Sequence, residues 1–190
     1  SHGRWLEPLD DAVFDRYTRR WTYPPDPSLL IIAIDDASLR QIGPWPWPRS
    51  VHARLLDRLT DAGSGRVLLD LPFSGPDRHP GADAQLAAAI ARNGQVVLPV
   101  LAVPARADRL AEERLPIALV TASAAALGHA EIHLDADGVA RGMFLHAGTG
   151  SAHWPALGLA LADPSARVQG LPTAEDHPAP EQWVRDGYLR

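Results

Sequence analysis

Three groups of side chains in this sequence have the types and spacing for chemistry. The first is Asp35, Asp36 and Asp70, each placed where an apolar run stops. Gathered at the carboxyl edge of a parallel sheet, such carboxylates hold a divalent cation or divide acid and base roles. Kept apart, they cap the following turn or pair with an arginine such as Arg49. The second group is the stretch Pro44-Trp45-Pro46-Trp47-Pro48-Arg49, followed by His52. Each tryptophan precedes a proline and is pushed into extended backbone, so the stretch is a stiff arm with little entropy left to lose. Its indoles either wall a pocket, with Arg49 as an anion fork and His52 one helical turn on, or seal a core. The third group is His129, Glu131, His133 and Asp135, which fall on one face of a strand of period two. That pattern suits a metal, but it also suits any solvent-facing strand, and no metal or other cofactor is expected.

Other chemistry is excluded by composition. All 18 basic residues are arginine, so a phosphate-loop lysine and a Schiff-base lysine are both out. With no cysteine there is no thiolate nucleophile, no disulfide and no cysteine zinc site. The motifs G-x-S-x-G, H-E-x-x-H and G-x-G-x-x-G are absent as well. A formal charge of -5 speaks against nucleic acid as a partner. No apolar run approaches the 18 or so residues of a membrane span, and no leader peptide is recognisable.

The elements that must carry these groups follow from periodicity. Trp5, Leu9, Val13 and Tyr17 repeat every four residues and predict a helix over 4–20, stopped by the prolines at 24, 25 and 27. The unbroken apolar run 29–35 predicts a buried central strand, and 37–42 a short helical turn. Val51, Leu55, Leu56 and Leu59 predict a helix with Ser50 as N-cap and Gly63 just past its end. Strands at 66–71 and 95–100 flank a helix at 83–92, which implies parallel pairing through right-handed crossovers. Residues 104–127 resist assignment. An antiparallel hairpin is expected from 130–134 and 139–146 around the Asp135–Gly138 turn, then an apolar helix over 154–161. The expected fold is α/β: a single domain with a mixed, mostly parallel central sheet, flanking helices and an antiparallel hairpin in the second half.

Taken in order, Ile31-Ile-Ala-Ile-Asp-Asp36, Gly43, Trp45-Pro-Trp-Pro-Arg49 with His52, and Leu55, Leu56 and Leu59 resemble the CHASE sensor domain, type 2. Leu69-Asp70 with Phe73, Asp83 with Leu86, Gly128-His129 and Asp135-x-Asp-Gly-Val-x-Arg141 extend the resemblance over roughly residues 5–165. The resemblance implies an extracytoplasmic, periplasmic input module of a bacterial membrane receptor. Its output would be a histidine kinase, a diguanylate or adenylate cyclase, or a Ser/Thr kinase. It further implies a homodimer tethered through flanking membrane helices, with a small-molecule or protein signal. Residues 1–22 would then be a membrane-proximal helix, 23–165 the sensor core and 166–190 a second membrane-proximal tail. Joined to the residue reading, a polar or anionic ligand is expected among Asp35, Asp36, Trp47, Arg49, His52 and Asp70. Two other classes stay open: a metal-dependent hydrolase using Asp35, Asp36 and Asp70, and a protein-interaction module without a small ligand.

Overall fold

The computed structural model describes residues 7–20, 24–103, 111–163 and 182–189. It divides into two compact units, Ser1–Pro44 and Trp45–Arg190.

The first unit holds helix α1 (Glu7–Arg20), a stretch at 24–35 that is neither helix nor strand and turns at Pro27 and Ser28, and helix α2 (Asp36–Ile42). The helix expected over 4–20 is present within its described residues. The central strand expected at 29–35 is not. That run forms no strand, pairs with no described strand, and leaves Leu29, Leu30, Ile31 and Ile32 exposed, Ile31 at 90%. An apolar run reports a capacity for burial, whereas a strand also needs a partner to take its backbone hydrogen bonds.

The second unit is an α/β fold with two sheets. Helix α3 (Arg49–Asp61) leads to the short strand β1 (Val67–Leu68), helix α4 (Ala82–Asn93) and strand β2 (Val96–Val103). β2 is apolar on both faces, as a central parallel strand must be. It pairs in parallel with β1, Val67 against Val96, and with β4 (Ala126–His129), Val97 against Ala126. Between them come β3 (Glu112–Arg114), antiparallel to the far end of β2, and the single-turn helix α5 (Ala118–Thr121). Leu56 of α3, Leu86 and Ile90 of α4, Val96 and Leu98 of β2 and Val120 of α5 form the core on one face of this sheet. Burying side chains of this size contributes about 1.5–3 kcal/mol each. Helix α6 (Leu157–Ala162) packs against the same sheet. Gly128 makes that approach possible, because a Cβ there would stand 2.9 Å from the Pro155 carbonyl and 3.0 Å from the Leu157 Cα.

The second sheet has β5 (Met143–Thr149) at its centre, flanked by β6 (Trp154–Pro155) and β7 (Trp183–Leu189), both antiparallel. Three expectations are corrected here. The Asp135–Gly138 turn forms, with Gly138 at φ 80°, but the hairpin around it shrinks to one bridge between His133 and Gly142. The partner of β5 comes instead from β7, some forty positions further along the chain. The helix expected over 154–161 begins only at Leu157, because Trp154 and Pro155 join the sheet. The N-cap of α3 is Pro48 rather than Ser50: the Arg49 N–H, which has no partner within the helix, donates to Asp77 Oδ2 at 2.7 Å, so a side chain from a distant loop does the capping.

Candidate functional site

The proline-tryptophan arm delivers Arg49 and His52 to the first turn of α3, and both are buried, Arg49 at 8% exposure. The Arg49 guanidinium donates to Asp83 Oδ1 through one nitrogen and to the Gly75 carbonyl through another. It also lies over the Phe73 ring, 5.1 Å from its centroid. Asp83 is in the first turn of α4, where a carboxylate also complements the helix dipole, so a single cation ties the starts of α3 and α4 to the loop between β1 and α4. Asp77 completes the knot. Its N–H reaches both oxygens of Asp83 at 3.2 Å, and its carboxylate takes the N–H groups of Arg49 and, at 2.8 Å, His79. Burial pushes the Asp77 carboxyl up, but the hydrogen bonds from His79 and Arg49 outweigh it and hold it at about 2.

His52 sits within an aromatic stack. Trp45 lies edge-on at 5.7 Å, Trp47 at 6.2 Å and Phe73 at 5.9 Å between ring centroids. Burial, reinforced by the Arg49 charge and opposed by Asp77, lowers the pKa of His52 below its ordinary value. Trp45 keeps an exposed face while packing edge-on against Trp47 at 5.7 Å.

The structure thus brings Trp47, Arg49 and His52 together. Asp35 and Asp36 lie in the first unit, where Asp35 caps α2 by accepting from the Ser38 N–H at 2.8 Å and the Ser38 hydroxyl at 2.7 Å. Asp36 is exposed in the first turn of that helix, and Asp70 is exposed just beyond β1. The partner found for Arg49 is Asp83, whose place one turn into a helix gave no sequence cue that it would face the arm.

The third group disperses. His129 is the buried end of β4 at 2% exposure, its Nδ1 accepting from the Glu131 N–H at 3.3 Å and its Nε2 meeting no hydrogen-bond partner at normal distance among the described residues. Burial lowers its pKa, with the Glu131 carboxylate pulling the other way. Glu131 accepts from Trp183 Nε1 and from Arg185 Nε, each at 2.8 Å, and so holds β7. His133 stands edge-on to Phe144 at 5.3 Å and Tyr188 at 5.5 Å. Asp135 turns to Arg141, which also binds Asp137. Among the described residues no group of three or more His, Asp or Glu side chains could hold a metal ion.

A further cluster escaped the sequence reading: Glu113, His153 and Ser151. Its members come from β3 and from the loop between β5 and β6, so nothing in their spacing announces it.

The family model described as the CHASE2 domain matches residues 1–183, nearly the whole chain. No curated protein matches the chain, and no solved structure does. Among the described residues no helix is long and apolar enough to cross a membrane.

Proposed function

The chain belongs to the CHASE2 domain family, whose members are extracytoplasmic sensory domains, and from that premise we propose that it is the input domain of a membrane-bound bacterial receptor. The domain itself carries no reaction. A histidine kinase, a nucleotide cyclase or a Ser/Thr kinase joined to it would supply the output, on the far side of the bacterial inner membrane. The observation that carries this reading beyond family membership is the grip of Glu131 on β7. Glu131 follows the end of β4, a strand of the core sheet, and binds two side chains of the last described strand. A change in the core sheet would therefore reach β7, and from there a following membrane segment.

On this reading a small polar ligand acts only through different affinities for two arrangements of the domain or of its homodimer. The proline-tryptophan arm is the place for it, because Trp45 is 45% exposed and packs edge-on against Trp47 and His52. A thermal-shift screen of periplasmic metabolites tests this. A hit should be lost in Trp45→Ala while the variant keeps its fold; a hit that survives Trp45→Ala puts the ligand elsewhere. The reading frame around the domain identifies the output.

A second reading has its own observation. Ile132 and Leu134 flank the His133 bridge to Gly142, Met143 pairs with Leu189 in the next rung, and all four are exposed. Such a patch suits a protein partner without any small ligand. In that case no metabolite stabilises the domain, and Leu134→Ser abolishes signalling by the receptor while its folding is unchanged.

A further inference from the structure

His153 follows the β5 end of the second sheet by four residues, and both of its ring nitrogens face acceptors. Nδ1 stands 2.9 Å from the Ser151 carbonyl and 3.1 Å from the Ser151 hydroxyl, and Nε2 stands 3.2 Å from Glu113 Oε1. A neutral imidazole has one N–H: held on Nε2 it would serve the carboxylate while Nδ1 accepts from the Ser151 hydroxyl, but the Nδ1 lone pair would then also face the Ser151 carbonyl at 2.9 Å. Only the imidazolium donates to both. In the charged form the nitrogen next to the Ser151 hydroxyl carries a proton, so it is no base for a serine nucleophile.

The pair joins separate parts of the fold. Glu113 lies on β3, which belongs to the first sheet, and it also accepts from the Thr149 N–H of β5 at 2.7 Å. Thr149 is paired with Trp183 of β7, and the Gly150 N–H donates to the Gln182 carbonyl at 2.8 Å. Room for the ring is made by Gly148, where a Cβ would stand 2.6 Å from His153 Nδ1 and 2.3 Å from the Ser151 carbonyl. We propose that His153 and Glu113 form a proton-operated clamp, closed when the imidazole is charged, that holds β3 and the start of β7 to the loop between β5 and β6.

The surroundings leave the clamp to this one pair. On β3, Glu112 and Arg114 alternate to the face away from Glu113 and are exposed. On β5, His146 lies opposite Asp186 in the ladder with β7. From β6 the neighbour is the uncharged Trp154 ring at 4.9 Å, and the start of β7 offers the uncharged Gln182 and Trp183. Among the described residues, Glu113 is the charged group acting on His153. Its hydrogen bond raises the His153 pKa above the ordinary 6.5 against the pull of burial, and its charge and the Ser151 carbonyl add to the rise. Burial pushes the Glu113 carboxyl up, but hydrogen bonds from His153 and the Thr149 N–H hold it at about 2. The stabilisation from His153 is therefore full below 6.5 and is lost as pH rises through the raised value, while Glu113 stays ionised. The clamp opens on the alkaline side.

An NMR titration of His153, run beside amide exchange of Gly150, tests the proposal. The native midpoint should lie above 6.5 and fall in Glu113→Gln. Above that midpoint, protection of the Gly150 amide should drop beyond the intrinsic effect of base, by up to about tenfold for each pH unit by which His153 is raised. That excess should disappear in Glu113→Gln. Should Glu113→Gln fail to fold, His153→Gln replaces it, with the same loss of excess expected. A native midpoint at or below 6.5, or an excess that persists in the variant used, overturns the clamp.

Discussion

Glu131 and Arg185 are joined by a hydrogen bond of 2.8 Å from Nε to the carboxylate, although 54 positions separate them in the chain. The same carboxylate receives the indole N–H of Trp183, so two alternate residues of β7 share one acceptor. Because Glu131 comes two residues after the end of β4, this is where the core sheet meets the last described strand. The grip is half-exposed on the arginine side, which limits the ion pair to about 1 kcal/mol. The part-buried indole hydrogen bond adds about 1 kcal/mol. Glu131→Gln should therefore lower stability by about 1–2 kcal/mol, read as a shift of the urea midpoint without change of slope. Burial raises the Glu131 carboxyl, but Arg185 and Trp183 lower it further, so this stabilisation is present above 4.5 and lost as pH falls through the lowered value.

Arg49 should behave as a structural cation. Removing it leaves the Gly75 carbonyl without its donor and Asp83 without its cation at the junction of two helices, with the Asp77 N–H still on Asp83, which costs about 3 kcal/mol. Arg49→Lys should recover little of this, because a single ammonium cannot span the two acceptors. Equilibrium denaturation of Arg49→Gln and Arg49→Lys measures both. A midpoint unchanged in either would mean that the guanidinium is free to serve a ligand.

The buried histidines should make the domain acid-sensitive. His52 and His129 are held neutral by burial, with pKa values below 6.5, so the unfolded chain binds more protons than the native one as pH falls below 6.5. Their contribution is full above 6.5 and is lost through the lowered values, in the direction opposite to His153. The thermal midpoint should fall between about pH 7 and about pH 5, and fall less in His52→Gln. An equal fall in both proteins would show that His52 is not buried as a neutral ring.

Gly142 should tolerate no side chain. A Cβ there would stand 2.3 Å from Tyr188 Oη and 2.8 Å from the Leu189 carbonyl. Gly142→Ala should displace the end of β7 and cost about 1–3 kcal/mol, the range for overpacking. The chemical shifts of Tyr188 and His133, which share a ring contact at 5.5 Å, report the displacement directly.

The legible parts of the fold were those with local signals. The helix from 83 to 92 carried its own apolar stripe and its stop at Gly94, which has φ 71° and donates to the Ile90 carbonyl. The parallel pairing of β1 with β2 followed from the length of that crossover. β7 was illegible because its partners, β5 and Glu131, lie far away in sequence, and its own residues are mostly exposed and mixed. The same reasoning covers the candidate site. Trp47, Arg49 and His52 share one short segment and stayed together, whereas the alternation of His129, Glu131, His133 and Asp135 assumed a regular strand where the chain makes a single bridge. Period-two spacing places side chains on one face only while the ladder lasts.

The central claim is that Glu131 couples the core sheet to β7, the strand through which a sensory input would leave the domain. Native-state hydrogen exchange of the wild type and Glu131→Gln tests it most directly. Amides of β7 should exchange faster in the variant, while those of α3 and α4 keep their protection. Unchanged exchange in β7, or an equal rise over the whole domain, would contradict the account.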